Sequence, residues 1–337
     1  MNEHNLYRSN ISPIPEGLPQ PLWSVMIPTY NCAEYLRETL GSVLAQDLGP
    51  DLMQIEVVDD CSTKDDPKAV VEELGKGRVS FYRHPQNVGY IQNFNTCLQR
   101  SQGQLIHLLH GDDCVRDGFY RKLQQAFDEQ PEIGAAFCRI IKMDEHGHWK
   151  MIYPLEQPDS GIYVDGLHHI VSRHPIETPS IVVRRAVYEH LDGFDKRFTC
   201  CAEDWEMWVR IAAHYPVWYE VEPLAIYRSH SASLTGRFIR TGHNIRDTYM
   251  AREIIKSYLP ETAMNALSRS KELWGLWGLH CARKLLARQQ WTGAIIQIRE
   301  VLRSYCSFKI VISIIRLAVE LGQQWIKGNI QKLTKAY

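Results

Sequence analysis

Leu105-Ile106-His107-Leu108-Leu109-His110-Gly111-Asp112-Asp113 is a short apolar run that stops in a turn carrying two adjacent carboxylates. A run this short and this apolar reads as a buried strand. The same alternation recurs on either side of it. Trp23-Ser24-Val25-Met26-Ile27-Pro28 reads as a first strand stopped by proline. Asn31 then reads as a helix cap, with Glu34 three residues on and Leu36, Leu40, Val43 and Leu44 at helical spacing. Residues 54–58 form a second strand pattern ending in Asp59-Asp60, and Asp65-Asp66-Pro67 opens a second helix. Residues 79–82 read as a third strand, and residues 93–98 lie in a third helix. Downstream, a helix is expected over 117–129 and a strand over 133–141.

Strands alternating with helices specify an α/β fold, a mostly parallel sheet flanked by helices. Ligands of such sheets bind at the carboxyl ends of the strands. The polar clusters fall there, at residues 29–31, 59–63 and 110–113. Carboxylates gathered at sheet ends repel one another unless a cation or ligand donors offset them. After residue 141 the alternation gives way. Helical patterns appear at 165–172, 185–190 and 202–214, then two short strands at 217–221 and 224–227. From Arg240 onward the pattern is helical, with expected breaks at Pro260, Gly275–Gly278 and Gly293, and no internal repeat stands out. Residues 1–20, with Pro13, Pro15 and Pro19, read as an extended tail. Residues 21–238 read as the α/β domain and 239–337 as a helical C-terminal extension.

The bulk figures agree with one enzyme-sized domain plus an appendage: 337 residues, 45% apolar and 23% charged. The net charge of −1 is unevenly spread, +10 from Arg240 to the end and −11 before it. The nine cysteines include no CxxC pair, which argues against a zinc site or a disulfide framework and for thiols in a reducing cytosol. Residues 1–20 hold no apolar run of the signal-peptide kind. The best membrane-span candidate, 310–321, is short and interrupted by Arg316 and Glu320.

Four clusters carry chemistry. Asp112-Asp113 suits a divalent cation shared with a diphosphate, although a helix-capping turn has the same composition. Asp59-Asp60-Cys61-Ser62 offers acceptors for a base N–H or a ribose hydroxyl, and taken singly it is better explained as a turn. Glu203-Asp204-Trp205-Glu206-Met207-Trp208 puts two carboxylates at a helix N-terminus, where the dipole favours ionisation. An ionised Asp facing a cleft can deprotonate a hydroxyl, while the plain alternative is helix-start acidity with both tryptophans in the core. Tyr227-Arg228-Ser229-His230 joins a phosphate-suited guanidinium to an imidazole, and a lone histidine is more often structural than catalytic.

These clusters in this order, beginning with Val25-Met26-Ile27-Pro28-Thr29-Tyr30-Asn31, resemble the family 2 glycosyltransferases over roughly residues 24–234. The resemblance implies the GT-A fold, a Rossmann-like nucleotide-binding half merged with an acceptor-binding half. It implies a nucleotide side lined by Pro28, Thr29, Tyr30, Asn31, Asp59, Asp60 and Asp112. It implies Asp112, Asp113 and His230 around Mn²⁺ or Mg²⁺, and Asp204 as catalytic base with Glu203 in support. Pro179, Ser180, Trp208 and Arg228 would stand on the donor and acceptor side. His110 occupies a position where the family often has Asp, and Cys61 one where glycine is common, so metal ligation falls to Asp112 or Asp113.

The implied reaction is an inverting transfer from a UDP- or dTDP-sugar to a hydroxyl of a saccharide or lipid-linked saccharide, in bacterial surface-polysaccharide synthesis. Two rival readings stand beside it. A nucleotidyltransferase needs a Gly-rich basic loop after the first strand, and residues 29–35 contain neither Gly nor Lys. A non-catalytic nucleotide-sugar-binding protein would not need Asp204 or the Asp112-Asp113 pair. A dehydrogenase lacks its GxGxxG, and nothing points to nucleic acid. From Thr292 on, Ile295, Ile298, Leu302, Tyr305, Ile312, Ile315, Val319 and Ile326 recur at helical spacing among Arg299, Arg303, Lys309, Arg316, Lys327, Lys332 and Lys335. Such a basic amphipathic tail suits an anionic membrane surface or a second copy of the chain. The expected location is therefore cytoplasmic, peripheral on the inner face of the cell membrane.

Overall fold

A computed structural model describes residues 6–15, 17, 20–230 and 238–320. The elements of the first part run β1 (Trp23–Thr29), α1 (Ala33–Leu44), β2 (Met53–Asp59), α2 (Pro67–Gly75), β3 (Ser80–Arg83), α3 (Tyr90–Arg100), β4 (Leu105–Leu108), β5 (Cys114–Val115) and α4 (Phe119–Glu129). There follow β6 (Ala135–Asp144), β7 (Trp149–Ile152), β8 (Gly161–Ile162), α5 (Gly166–Arg173), β9 (Ile181–Arg184), α6 (Arg185–Leu191), α7 (Glu203–Ala212) and β10 (Val217–Ser229). The remainder is α8 (His243–Lys256), α9 (Met264–Ala287), α10 (Trp291–Tyr305) and a helical stretch at 308–320.

All ten strands belong to one sheet, ordered β3-β2-β1-β4-β9-β6-β10-β5, with β7 on β6 and β8 on β10. The β3-β2-β1-β4 half is parallel. β1 is buried along its whole length, as a strand covered on both faces must be. Beyond β4 the ladder mixes directions: β9 is antiparallel to both neighbours, and β10 is parallel to β6. The strand order reverses between β1 and β4, which opens a crevice at their carboxyl ends. Backbone bonds from Gly111 N–H to Pro28 O (3.0 Å) and from Asp60 N–H to Thr29 O (2.9 Å) tie the two acidic loops to the end of β1.

Several local expectations change. Asn31 does not cap α1, which starts after Cys32. Asn31 takes φ 52°, a left-handed conformation that asparagine tolerates. Its side-chain oxygen accepts from the N–H groups of Thr63 and Lys64 (2.8 and 2.9 Å), while Asp65 caps Ala33 N–H at 2.8 Å. The two short strands at 217–221 and 224–227 are one strand, bent by register shifts on either side of Pro223. Of the expected extended tail over residues 1–20, residues 1–5, 16, 18 and 19 lie outside the described residues, and the described part is docked. Ile11 is buried, Ser9 O accepts from Gly193 N–H (2.7 Å), Tyr7 O accepts from Lys196 N–H (2.9 Å), and Arg8 pairs with Glu206 at 3.1 Å.

The chain divides into two compact units, one of residues 1–170, 174–198 and 203–230, the other of residues 171–173, 199–202 and 231–337. In the second, helix α9 runs unbroken through Gly275 and Gly278. A Cβ at Gly278 would lie 2.4 Å from Val301 Cγ2, and one at Gly275 2.6 Å from Ile310 Cδ1, so these glycines admit neighbouring side chains rather than end the helix. Gly293 lies in the first turn of α10, and the break falls earlier, at Gln289 with φ 58°. A core of Ala282, Leu285, Leu286, Ala294 and Leu317 holds the unit together. Among the described residues no helix is long and apolar enough to cross a membrane.

Candidate active site

At the end of β2 both carboxylates are committed to the loops around them. Asp59 has no exposed surface; it accepts from Ser62 and from Arg83 Nε at 2.6 Å. Asp60 accepts from the N–H groups of Val88 (2.7 Å) and Gly89 (3.0 Å) and from the Asn87 amide (2.9 Å). Burial raises the Asp60 carboxyl above its usual value despite these donors. Pro28 and Thr29 are buried beside them, Asn31 is half-buried, and Tyr30 is exposed. The Thr29 hydroxyl lies 2.8 Å from Cys32 Sγ.

The turn after β4 is held by β10. Arg228 donates its backbone N–H to Asp113 Oδ1 (2.8 Å) and its Nε–H to the Asp112 carbonyl (2.9 Å). Its remaining guanidinium reach is taken by Glu38 of α1 (2.7 Å) and by the Tyr35 ring, 4.5 Å away. Arg228 therefore clamps this loop, and its side chain is buried in doing so. His230 Nε2 lies 2.8 Å from Asp112 Oδ2, and its ring sits beside Tyr35. Burial alone would push the Asp112 carboxyl up, but the His230 hydrogen bond and the His110 and His230 charges bring it below the ordinary value.

Asp113 is buried, and its Oδ2 has no hydrogen-bond partner. Burial and the Asp112 charge push its carboxyl well above the usual range. His110 Nδ1 lies 3.6 Å from Asp113 Oδ2. His110 stacks on Phe94 (4.9 Å between centroids), and its own Nε2 is buried without a partner. An orphaned carboxylate oxygen facing an imidazole edge suits a cation. Ligand atoms of His110, Asp112 and Asp113 lie within 4.8 Å of one another, a mixed O and N set that fits a divalent ion. His110 thus joins the candidate ligands, whereas His230 reaches the group through Asp112.

Asp204 begins α7, and its Oδ1 accepts from Trp205 N–H at 2.7 Å. Its Oδ2 is 3.4 Å from Nε2 of His174, a residue that sequence analysis passed over. Burial works against its ionisation, but the His174 charge and contact, the Trp205 N–H and His110 together hold the Asp204 carboxyl below its ordinary value. Glu203 accepts from the Tyr90 hydroxyl at 3.1 Å. Glu177 accepts from the Tyr153 hydroxyl at 3.0 Å, and burial, with Asp204 adding to it, raises its carboxyl. Asp204 and His110 are close enough to shift each other's titration, as are Glu177 and Asp113, so base candidate and metal candidates form one electrostatic cluster.

Three expected contact residues lie deeper than expected. Trp208 is 1% exposed and packs edge-on against Phe194, which makes it a core side chain rather than one facing donor or acceptor. Pro179 and Ser180 are buried in a single 3-10 turn. The Pro179 carbonyl lies 3.0 Å from Nε2 of His107, and burial pushes His107 down to about 4. Ser180 Oγ donates to Glu177 O at 2.7 Å. These residues shape the wall that Glu177 stands on.

Residues 24–191 match the family model described as glycosyl transferase family 2. The O-antigen biosynthesis protein RfbC of Myxococcus xanthus is 25% identical over 213 residues, 57% of this chain but only 16% of that protein. Among solved structures, Staphylococcus aureus TarS 1–349 in complex with UDP-GlcNAc superposes with a TM-score of 0.63 at 19% identity, covering 83% of this chain and 81% of that one. The mannosyltransferase PcManGT of Pyrobaculum calidifontis, in complex with GDP-Man and Mn²⁺, gives 0.57 at 17% identity, covering 92% of this chain and 83% of that one. The two structures share the fold, and the family match falls on the loops that carry Asp59-Asp60 and Asp112-Asp113. The chain belongs to the family 2 glycosyltransferases.

Proposed function

We propose that this glycosyltransferase inverts configuration as it moves a sugar from a nucleoside-diphosphate donor, UDP- or dTDP-linked, to a hydroxyl of a saccharide or lipid-linked saccharide. The observation that carries the proposal is the Asp204 carboxylate, kept ionised at a helix start beside the His110, Asp112 and Asp113 group. Asp204 takes the proton of the acceptor hydroxyl as that oxygen attacks the anomeric carbon opposite the departing diphosphate. His174 orients the carboxylate, and Glu203 with Tyr90 steadies the start of α7. Asp113, Asp112 and His110 would hold a divalent ion, Mn²⁺ or Mg²⁺, which when bound would neutralise the charge that grows on the leaving group. His230 and Arg228 fix Asp112 and the loop around it. Tyr30 and Asn31 line the mouth of the nucleoside side, backed by Pro28, Thr29, Asp59 and Asp60. UDP-GlcNAc and GDP-Man in the two structural neighbours support a nucleotide-sugar donor, and the RfbC similarity supports a surface-polysaccharide acceptor. The proposed setting is the cytoplasmic face of the cell membrane, where lipid-linked acceptors are within reach.

The test is Asp204→Asn. A thermal-shift screen of nucleotide sugars with Mn²⁺ identifies the donor; the variant should bind it as the wild type does and lose transfer by about a hundredfold or more. Turnover near wild type removes Asp204 from the base role.

A further inference from the structure

The pattern Trp291-x-x-x-Ile295-x-x-Ile298-Arg299-x-x-Leu302 recurs as Phe308-x-x-x-Ile312-x-x-Ile315-Arg316-x-x-Val319. In each copy the four apolar positions fall on one face of a helix. The first copy lies in α10 and the second in the helical stretch 308–320. A face of this kind ordinarily lies in a core, and Ile298 does pack against one while Ile312 is half-buried, yet the other three apolar positions of each copy are open to solvent. Trp291 is 54% exposed and Ile295 63%, while Phe308 is 83% and Ile315 57% exposed. The core-facing side of α10 is a different one, made by Ala294, Gln297, Val301 and Tyr305. Ile295, Ile298, Arg299, Leu302 and Arg303 line a surface hollow of about 390 Å³. Arg299 and Arg303, each more than 60% exposed, come no nearer to Glu300 than 4.0 and 3.7 Å, and Arg246 already holds that carboxylate at 3.2 Å. Three guanidiniums around one carboxylate leave the rim of the hollow positive.

We propose that this face docks on a lipid bilayer rich in anionic phospholipid, with the two apolar stripes in the interfacial zone and the arginines on phosphate. Charge complementarity selects this occupant. A second copy meeting the same face about a two-fold axis would set Arg299 and Arg303 close to their own duplicates. A bilayer presents phosphate to the guanidiniums and acyl chains to the stripe at once. Trp291 and Phe308 open their stripes with the side chains suited to that boundary. The surface stands on its own geometry; only its service to a lipid-linked acceptor rests on the transferase reading.

Full-length protein is sedimented with vesicles of mixed phosphatidylglycerol and phosphatidylcholine, and with vesicles of phosphatidylcholine alone, at low and high salt. Binding is expected to the anionic vesicles only, and to weaken with salt. Arg299→Glu with Arg303→Glu should weaken it roughly thirtyfold. Trp291→Ser with Ile295→Ser and Leu302→Ser should abolish it at an unchanged melting temperature, and Phe308→Ser with Ile315→Ser probes the second copy. Should the triple variant unfold, Ile295→Ser alone decides. No binding by the wild type at low salt overturns the proposal, and so does equal binding by the charge-reversed and apolar variants. A wild-type dimer in light scattering that the apolar variants turn into monomers also overturns it, because a second copy then covers the face. Vesicle binding by a chain without transferase activity leaves this surface standing and sinks the proposed reaction instead.

Discussion

Asp204 has a neighbour whose own titration reports on it. Burial pulls the His174 imidazole down, but the Asp204 charge and contact, helped by Glu177, raise it above its usual 6.5. The groups facing it are Asp204 from α7 and Glu177 across the following turn, with the Trp205 ring 6.4 Å away. A raised histidine stabilises the fold below its unfolded pKa, and that stability fades as pH rises through the folded one. A lowered carboxyl at Asp204 stabilises above the usual carboxyl range and loses that contribution in acid. The pair is therefore strongest between the two unfolded values, above the ordinary carboxyl range and below 6.5. Histidine NMR titration of the wild type should place His174 above 6.5, and in Asp204→Asn burial should take it below 6.5. An unmoved His174 would break the pairing. Asp113 gives a second test, because its orphan oxygen has a use only with a cation. Asp113→Asn should cost little stability in EDTA and should lose the melting-temperature rise that Mn²⁺ gives the wild type. A retained rise would move the metal elsewhere. Asp112, Asp113 and Asp204 were legible in the sequence because adjacent acids close a strand or open a helix. His174 was not: it stands alone before Pro175, and only the fold brings it to Asp204. His110 was read as a gap in the motif, and its place beside Asp112 and Asp113 makes it a candidate ligand.

Among elements, β1, β2, β4 and α1 were plain from apolar runs and helical spacing, since a strand buried on both faces leaves little choice of residue. Glycine in α9 misled because the same residue serves to end a helix or to let another side chain come close. Its use here is the second. Gly278→Val should destabilise the helical unit by about 2 kcal/mol through overpacking against Val301 and Ile245. Urea denaturation followed by tryptophan fluorescence measures it; an unchanged midpoint would mean that the contact yields freely. The bend at Pro223 was equally ambiguous. A proline between two apolar runs suggests two strands, whereas a bulge lets one strand keep its partner on both sides. That continuity matters to the site, because β10 delivers Arg228 and His230 to the loop after β4.

For the molecule as a whole, the uneven charge was visible in composition, and the structure adds where part of it goes, to the rim of an apolar face. The docked N-terminal segment was not visible, because prolines and polar residues describe a chain without regular structure equally well whether it is free or bound. Its attachment is ionic as well as apolar: Glu206 lies fully buried between Arg8 and Arg210, each 3.1 Å away. Deleting residues 1–12 should cost about 3 kcal/mol by leaving that network incomplete, read as a lower melting temperature. An unaltered melting temperature would show that α7 does not need the segment.

The same attachment has a kinetic side. The segment around Arg8 is made well before its partners, since Gly193, Lys196 and Glu206 lie more than 180 residues further along the chain. Contacts so distant in sequence close slowly and late. During synthesis the segment around Arg8 therefore waits undocked while most of the sheet is made, and the helix that carries Asp204 reaches its final packing only when that segment returns to it.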